Sequence, residues 1–273
     1  ILEGNLDDAI INVNTDSVFG NWNATTSALT SNNVDFDDIF NTSTGGCVSA
    51  WIYPKSDGEN SGARIAAKGD ATDGSEGWNI NLQGESNGLM KMGMRFAWDG
   101  TTNDYAEWKT TNTVIPINAW SHIAVTYTPS GTGVDPVFYL NGVVVAITET
   151  GGQAPSGSVV SDADDDLYIG NNAGTERTFD GYIMDVKIYD ATTVTATQVA
   201  GLARKINVDK DDPRIPAVGA SNTGLVGWYP LTADDNDDSG EGNDLTPANM
   251  GSIVYDAFSV AVQDATTTTD GAV

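Results

Sequence analysis

The sequence predicts an all-β chain, an antiparallel β-sandwich with one short helix. Three observations predict it. Short apolar–polar alternations recur across residues 46–190, separated by Gly, Asn and Asp, the pattern of half-buried strands between turns. Aspartate outnumbers glutamate thirty to eight, and aspartate favours turns and caps where glutamate favours helix interiors. A single stretch after Thr195 combines a capping residue with helical spacing. Many short strands with so little helix call for two packed sheets.

The elements follow in chain order. In VSAWIYP (residues 48–54), Val48, Ala50 and Ile52 share one face, and Trp51 and Tyr53 the other. In GWNINLQG, Trp78, Ile80 and Leu82 alternate with Asn79, Asn81 and Gln83, so that strand is wet on one side. Met90, Met92, Met94 and Phe96 oppose Lys91 and Arg95; filling of an irregular core fits this row better than a soft binding surface. VFYLNGVVVAI is a hairpin, in which Asn141-Gly142 supplies the two positive-φ residues of a type I′ turn between strands 137–140 and 143–147. Further strands fall at 166–170 and 181–190. Thr195 caps the helix, Gln198 stands at the capping-box spacing, and Val199 and Leu202 face inward. Residues 205–224 carry two prolines and mixed charge and read as a linker leading to GLVGWYPL; the Thr-rich end has no apolar period and reads as a tail.

At 273 residues the chain can hold one large β domain or two smaller ones. Its net charge of −26 repels phosphate backbones and anionic lipid, which argues against nucleic-acid and membrane-surface partners and fits a salty or extracellular medium. Cys47 is the one cysteine, so no intrachain disulfide forms. No apolar run approaches the ~18 residues of a membrane helix. The first residue is Ile1 rather than Met, which fits a processed or internal start.

Taken in order, VSAWIYP, NAWSHIAVTYT (118–128), YLNG (139–142), LYIGNN (167–172) and FDGYIMDVKIYD (179–190), followed by the helix, resemble the concanavalin A-like lectin/glucanase superfamily in its laminin-G-like and pentraxin-like branch. The resemblance implies a jelly-roll sandwich. It implies no single function, because this fold hosts lectins, adhesion modules, glycosidases and structural proteins. One feature departs from the family pattern: such domains open with a GLVGWYPL-type strand, which here comes last. The string EGN occurs at both Glu3 and Glu241, and the N-terminal EGNLDDAIINVNTDSVFG looks like what should follow that strand. The expected organisation is therefore a sandwich over 1–204, a linker over 205–223, a segment over 224–262 that completes this sandwich or a neighbour's, and a flexible tail over 263–273.

Glycosidases of the superfamily place paired carboxylates on one strand as Glu-x-Asp-x-x-Glu or Glu-x-Asp-x-Glu. No such string occurs, and the eight glutamates are isolated. His122 lacks any Gly-x-Ser-x-Gly partner and reads as a structural histidine, as Cys47 reads as a buried apolar residue. The expectation is a non-enzyme. Asp234, Asp235, Asp237, Asp238 and Asn243 crowd a turn that in related domains lies beside Ca²⁺, and Asp185 matches a strand carboxylate that faces it there. Oxygen ligands of this kind suit calcium; an acidic turn closed by Asx hydrogen bonds is the competing reading. The acidic run 162–166 reads as a solvated loop. Trp22, Trp98 and Trp108 fall in or near loops, and AWDGTTNDYAEW (97–108) makes Trp98, Asp99, Asn103, Tyr105 and Trp108 a candidate glycan site; core packing of the tryptophans competes with it. The expected function is a non-enzymatic structural or adhesive surface protein, extracellular or on a virion, forming homo-oligomers and offering a lectin-like face to a glycan or cell-surface receptor. The rival is a carbohydrate-binding module of a secreted polysaccharide-degrading enzyme.

Overall fold

The computed structural model describes residues 21–23, 27–40, 43–69, 77–99, 105–150, 154–190, 194–204, 224–231 and 234–248. These form strands β1 (Asn21–Asn23), β2 (Ala28–Ser31), β3 (Gly46–Pro54), β4 (Arg64–Lys68), β5 (Trp78–Ser86), β6 (Leu89–Ala97), β7 (Tyr105–Thr110) and β8 (Ile115–Pro116). There follow β9 (Ser121–Tyr127), β10 (Val137–Leu140), β11 (Val143–Val145), β12 (Ile147–Glu149), β13 (Leu167–Ile169), β14 (Asp180–Tyr189), helix α1 (Ala196–Leu202), β15 (Leu225–Tyr229) and β16 (Thr246–Ala248).

One sheet runs β1-β14-β3-β9-β10-β11, and β15 also pairs with β14; the other runs β12-β7-β6-β5-β4-β13-β2-β16, with β8 on β6. Alternation sends one side of each strand inward. Val48, Ala50 and Ile52 of β3, Ile123 and Val125 of β9, and Ile183, Val186 and Ile188 of β14 meet Trp78, Ile80, Leu82, Met90, Met92, Met94 and Phe96 of the facing sheet in one core. Each Val, Ile, Leu, Met and Phe side chain among them contributes about 1.5–3 kcal/mol on burial. Rings fill the centre edge to face: Phe96 and Trp108 lie 5.2 and 5.4 Å from Tyr127, and Phe40 lies 5.1 Å from Trp78.

Asn141 and Gly142 take φ of 51° and 79°, as the type I′ turn requires. Glycine is needed at 142 for a second reason: a Cβ there would stand 2.9 Å from the Ala200 backbone of α1. The strand expected over 143–147 is in fact divided. β11 stays with β10, whereas β12 crosses to β7 of the other sheet. The break falls at Ala146, whose carbonyl accepts from Thr111 N at 2.9 Å. Helix α1 begins with the capping box at Thr195 and Gln198 and buries Val199 and Leu202.

The segment 224–248 adds a strand to each sheet. β15 lies against β14 beside β1, which pairs with an earlier stretch of β14, while β16 extends the second sheet beyond β2. Leu225, Trp228, Tyr229, Leu231 and Leu245 are buried. Asn243 ties the segment to the rest: it donates to the Val226 carbonyl (2.7 Å) and Asp35 Oδ2 (3.0 Å), accepts from Asn33 Nδ2, and its carbonyl accepts from the Tyr229 hydroxyl (2.7 Å). The expected linker 205–223 and tail 263–273 lie outside the described residues.

Candidate functional site

The residues singled out for sugar binding do not form one surface. Trp98 and Trp108 are 3% and 0% exposed and belong to the core, so neither offers a ring face to a sugar. The cause is parity: Trp108 pairs with the inward-facing Met94, and its indole N–H donates to Asp135 at 2.8 Å. Asp99 is exposed, and its carboxylate accepts from Ser158 N. Asn103 lies outside the described residues. Tyr105 alone of the three rings is half-exposed, with the Arg95 guanidinium 4.6 Å from its centroid.

The acidic turn is closed by its own hydrogen bonds. Asp237 accepts from the backbone N–H groups of Trp228, Ser239, Gly242 and Asn243 at 2.9–3.1 Å and from Ser239 Oγ at 2.6 Å. Asp234 accepts from Asn236, and Asp238 N donates to the Trp228 carbonyl. Asp185 is buried and accepts from Lys187 Nζ and, at 2.8 Å, from Trp228 Nε1. Five donors on Asp237 and the Lys187 ammonium on Asp185 Oδ1 are the bonds of the hydrogen-bonded turn that competes with a calcium site shared by Asp185 and this turn. Among the described residues no group of three or more His, Cys, Asp or Glu side chains could hold a metal ion.

Asp162, read from sequence as part of a solvated loop, is buried. It and Asp38 hold each other's backbone N–H at 2.8 and 3.1 Å, while Lys68 Nζ bonds Asp37 at 2.9 Å and lies 3.7 Å from Asp162. Burial pushes the Asp162 carboxyl up to about 7, against the Asp38 N–H and the Lys68 charge. Beside it is a cavity of about 200 Å³ lined by Asp38, Phe40, Phe96, Val159, Val160, Ser161 and Asp162, smaller than the usual ligand cleft of ~300–1,000 Å³. Burial, with a contribution from the Lys187 charge, pushes His122 down to about 3, so it is neutral at pH 7. Burial also raises the Cys47 thiol, which disfavours the nucleophilic thiolate.

The outward face of the second sheet is organised differently. Asn79, Asn81 and Gln83 form an amide ladder: Asn81 Nδ2 donates to Asn79 Oδ1 at 2.8 Å, and Gln83 Nε2 donates to Asn81 Oδ1 at 2.9 Å. Gly93 pairs with Asn81, and a Cβ there would stand 2.8 Å from both Asn81 Oδ1 and Gln83 Nε2. Glycine therefore leaves the ladder its space. Strand pairing sets Arg95 beside Asn79 and Glu107 beside Arg95, with Lys109 beside Gly93 and Lys91 beside Gln83. Arg95 Nε and Lys109 Nζ each lie 2.9 Å from a Glu107 oxygen. Burial works to raise the Glu107 carboxyl, but Lys109 and Arg95 outweigh it and hold it below its ordinary value. Asn79 and Asn81 are only 2% and 1% exposed, so their amides are fixed in place. Half-buried Tyr168 joins the same row through Ala67. The alternation marked the polar side of β5, but that side is not wet as expected, because Asn79 and Asn81 are buried; assembling the ladder with Arg95, Glu107 and Lys109 required the register of three strands.

Two antiparallel sheets packed face to face, one carrying an outward polar surface, define a lectin-type sandwich. The chain belongs to the concanavalin A-like lectin/glucanase superfamily: its Laminin_G_3 family matches residues 23–200. Among solved structures, the chain is similar to a protein of Bacteroides ovatus described by its suggested role in carbohydrate binding, at 16% identity and a TM-score of 0.49, covering 91% of this chain and 61% of that one. It is similar to the Ruminococcus gnavus IT-sialidase CBM40 bound to α2,3 sialyllactose (11% identity, TM-score 0.42, 58% of this chain and 81% of that one). It is also similar to the enzymatically active domain of bacteriophage CBA120 tailspike protein 2 (17% identity, TM-score 0.44, 69% of this chain and 26% of that one). No curated protein matches the sequence. No helix among the described residues is long and apolar enough to cross a membrane.

Proposed function

We propose that this protein is a non-catalytic, glycan-binding surface protein, displayed extracellularly or on a virion, and that it holds glycan on the outward face of its second sheet. The observation that carries this reading is the Asn79–Asn81–Gln83 ladder, with Gly93 clearing its space. Gln83, the half-buried end of the ladder, offers a donor and an acceptor side by side, the pattern that adjacent sugar hydroxyls complement, and the buried Asn79 and Asn81 hold it in place. Amides already held by their neighbours lose little further freedom on binding. Binding without hydrolysis fits the charge pattern, because glycosidases need two carboxyls ~5–9.5 Å apart, and Glu107 is tied to Arg95 and Lys109. The EGN strings at Glu3 and Glu241 favour a repeating, assembled surface protein over a single module appended to an enzyme.

A glycan array with the intact protein, read beside Asn81→Ala, tests the site. The wild type should give saturable hits with no sugar release, and the variant should lose roughly tenfold in affinity, the scale of one or two buried hydrogen bonds. Equal binding by a folded Asn81→Ala protein would move the site elsewhere, and an array without hits would remove the function.

A further inference from the structure

We infer that the glycan held on this face is acidic, a saccharide whose carboxylate is read by Arg95 beside the amide ladder. The inference rests on the proposal that this face binds glycan, and it concerns the charge of the ligand. The chain has a net charge of −26 and only twelve Lys and Arg residues. Strand register nevertheless gathers four of them on one face: Lys109 lies in the row of Asn81, Arg95 beside Asn79 and Lys91 beside Gln83, all half-buried, and the buried Arg64, which donates to the Gly62 carbonyl, lies in the row of Asn81. Against these four cations, Glu107 is the one carboxylate that these rows contribute among the described residues.

Glu107 does not consume the positive charge. Arg95 reaches it through Nε alone, which leaves the two terminal guanidinium nitrogens to form the planar fork that matches a carboxylate. The Tyr105 ring lies 4.6 Å from the guanidinium carbon, limiting how far the fork can swing. Lys91 donates to the Thr111 carbonyl at 3.0 Å, which places its charge at the Gln83 end of the ladder. An acidic oligosaccharide carries both a carboxylate and hydroxyls, so Arg95 and the half-buried Gln83 amide farther along the face can be used together. Nucleic-acid phosphates bring far denser charge, one per ~1.7 Å of duplex, and the chain's overall field opposes such a polymer. At physiological salt the ~8 Å screening length lets local cations govern a short acidic saccharide instead.

The test uses an array of matched pairs, each acidic saccharide printed beside its methyl-ester form, with sulfated saccharides and duplex DNA as further arms. The wild type should bind carboxylated members and lose roughly tenfold on esterification, the scale of a lost charge-assisted hydrogen bond. Arg95→Gln should remove that preference, while Arg95→Lys, which keeps the charge without the fork, should fall between. Melting curves establish that each variant is folded. Hits on neutral or ester forms that equal those on the acids would overturn the acidic assignment and leave glycan binding standing. An unchanged acid preference in Arg95→Gln, or preferred binding of sulfated saccharides or DNA, would overturn the assignment to a carboxylate read by Arg95. An array with no hits would remove both readings.

Discussion

The two sheets turn very different faces outward. On the first sheet, one half is covered by the chain itself: Val199 and Leu202 of α1 pack with Cys47, Ala124, Tyr139, Tyr189, Leu225 and Trp228. The other half is aromatic, with Trp51 and Met184 flanked by Trp120 and Tyr182. Tyr53 lies 5.6 Å from both Trp120 and Tyr182, and the Lys55 ammonium sits 4.4 Å over the Tyr182 ring. One ion pair on it is sealed: Asp185 and Lys187 pair beneath Trp228. Burial raises the Asp185 carboxyl and lowers the Lys187 ammonium, each opposed by its partner. The second sheet's face instead carries the amide ladder, buried at Asn79 and Asn81 and half-buried at Gln83, with half-buried Lys91, Arg95 and Lys109 around it. Both faces come from the same two-residue alternation. A polar residue on an outward face supports the fold where other parts of the chain cover it; where they do not, as at Arg95 and Gln83, it is open to the proposed ligand.

The strongest way to break this comparison is to strike one cation on each face. Lys187→Met leaves Asp185 buried without its ammonium, and chemical denaturation should show a loss of about 3–5 kcal/mol. Lys91→Gln on the second face should change stability by no more than ~0.5 kcal/mol. Equal losses from the two substitutions would erase the distinction between the faces.

A smaller effect sharpens the same point at the edge of the core. Because the folded Asp162 carboxyl titrates near 7 rather than at its ordinary 3.8, the native state holds a proton that the unfolded state gives up between those values. That contribution is complete below pH 3.8 and is lost as pH rises through about 7. Lys68, Asp37 and Asp38 face this carboxyl. Asp162→Asn should therefore gain on the wild type by on the order of 1–3 kcal/mol from pH 4 to pH 8. Parallel stability curves for the two proteins would show that Asp162 keeps an ordinary pKa.

The smallest expected effect concerns the turn at 234–243. With five donors on Asp237 and both Lys187 and Trp228 on Asp185 Oδ1, chelation by EDTA should leave the melting temperature unchanged. A ligand that binds only the folded state adds RT ln(1 + [L]/Kd) to stability, so a clear drop on chelation would establish a bound cation.

Much of the fold was legible from local sequence, and the site was legible only in part. The capping box at Thr195, the Asn141-Gly142 turn, the inward Met90–Met92–Met94 row and the apolar–polar alternation of β5 each depend on a few neighbouring residues. Trp108 misled because its strand is short: YAEWKT alternates clearly, but which parity faces the core depends on pairing with Met94. Asp185 takes φ of 52° where the β3–β14 register slips, so Met184 faces outward while Val186 enters the core. Asp162 meets a partner 124 residues away, and nothing near either residue announces it.

The sequence by itself determined the strands, the helix and its cap, the acidity of the chain and the residues that alternate across each strand, because backbone sterics and side-chain period act over a few residues. Tertiary structure decided which side of β7 is the core, which cations gather around the amide ladder, and that Trp228 seals Asp185 and Lys187. Those outcomes depend on register between strands far apart in the chain, and shifting a pairing by one residue reverses every side chain it carries.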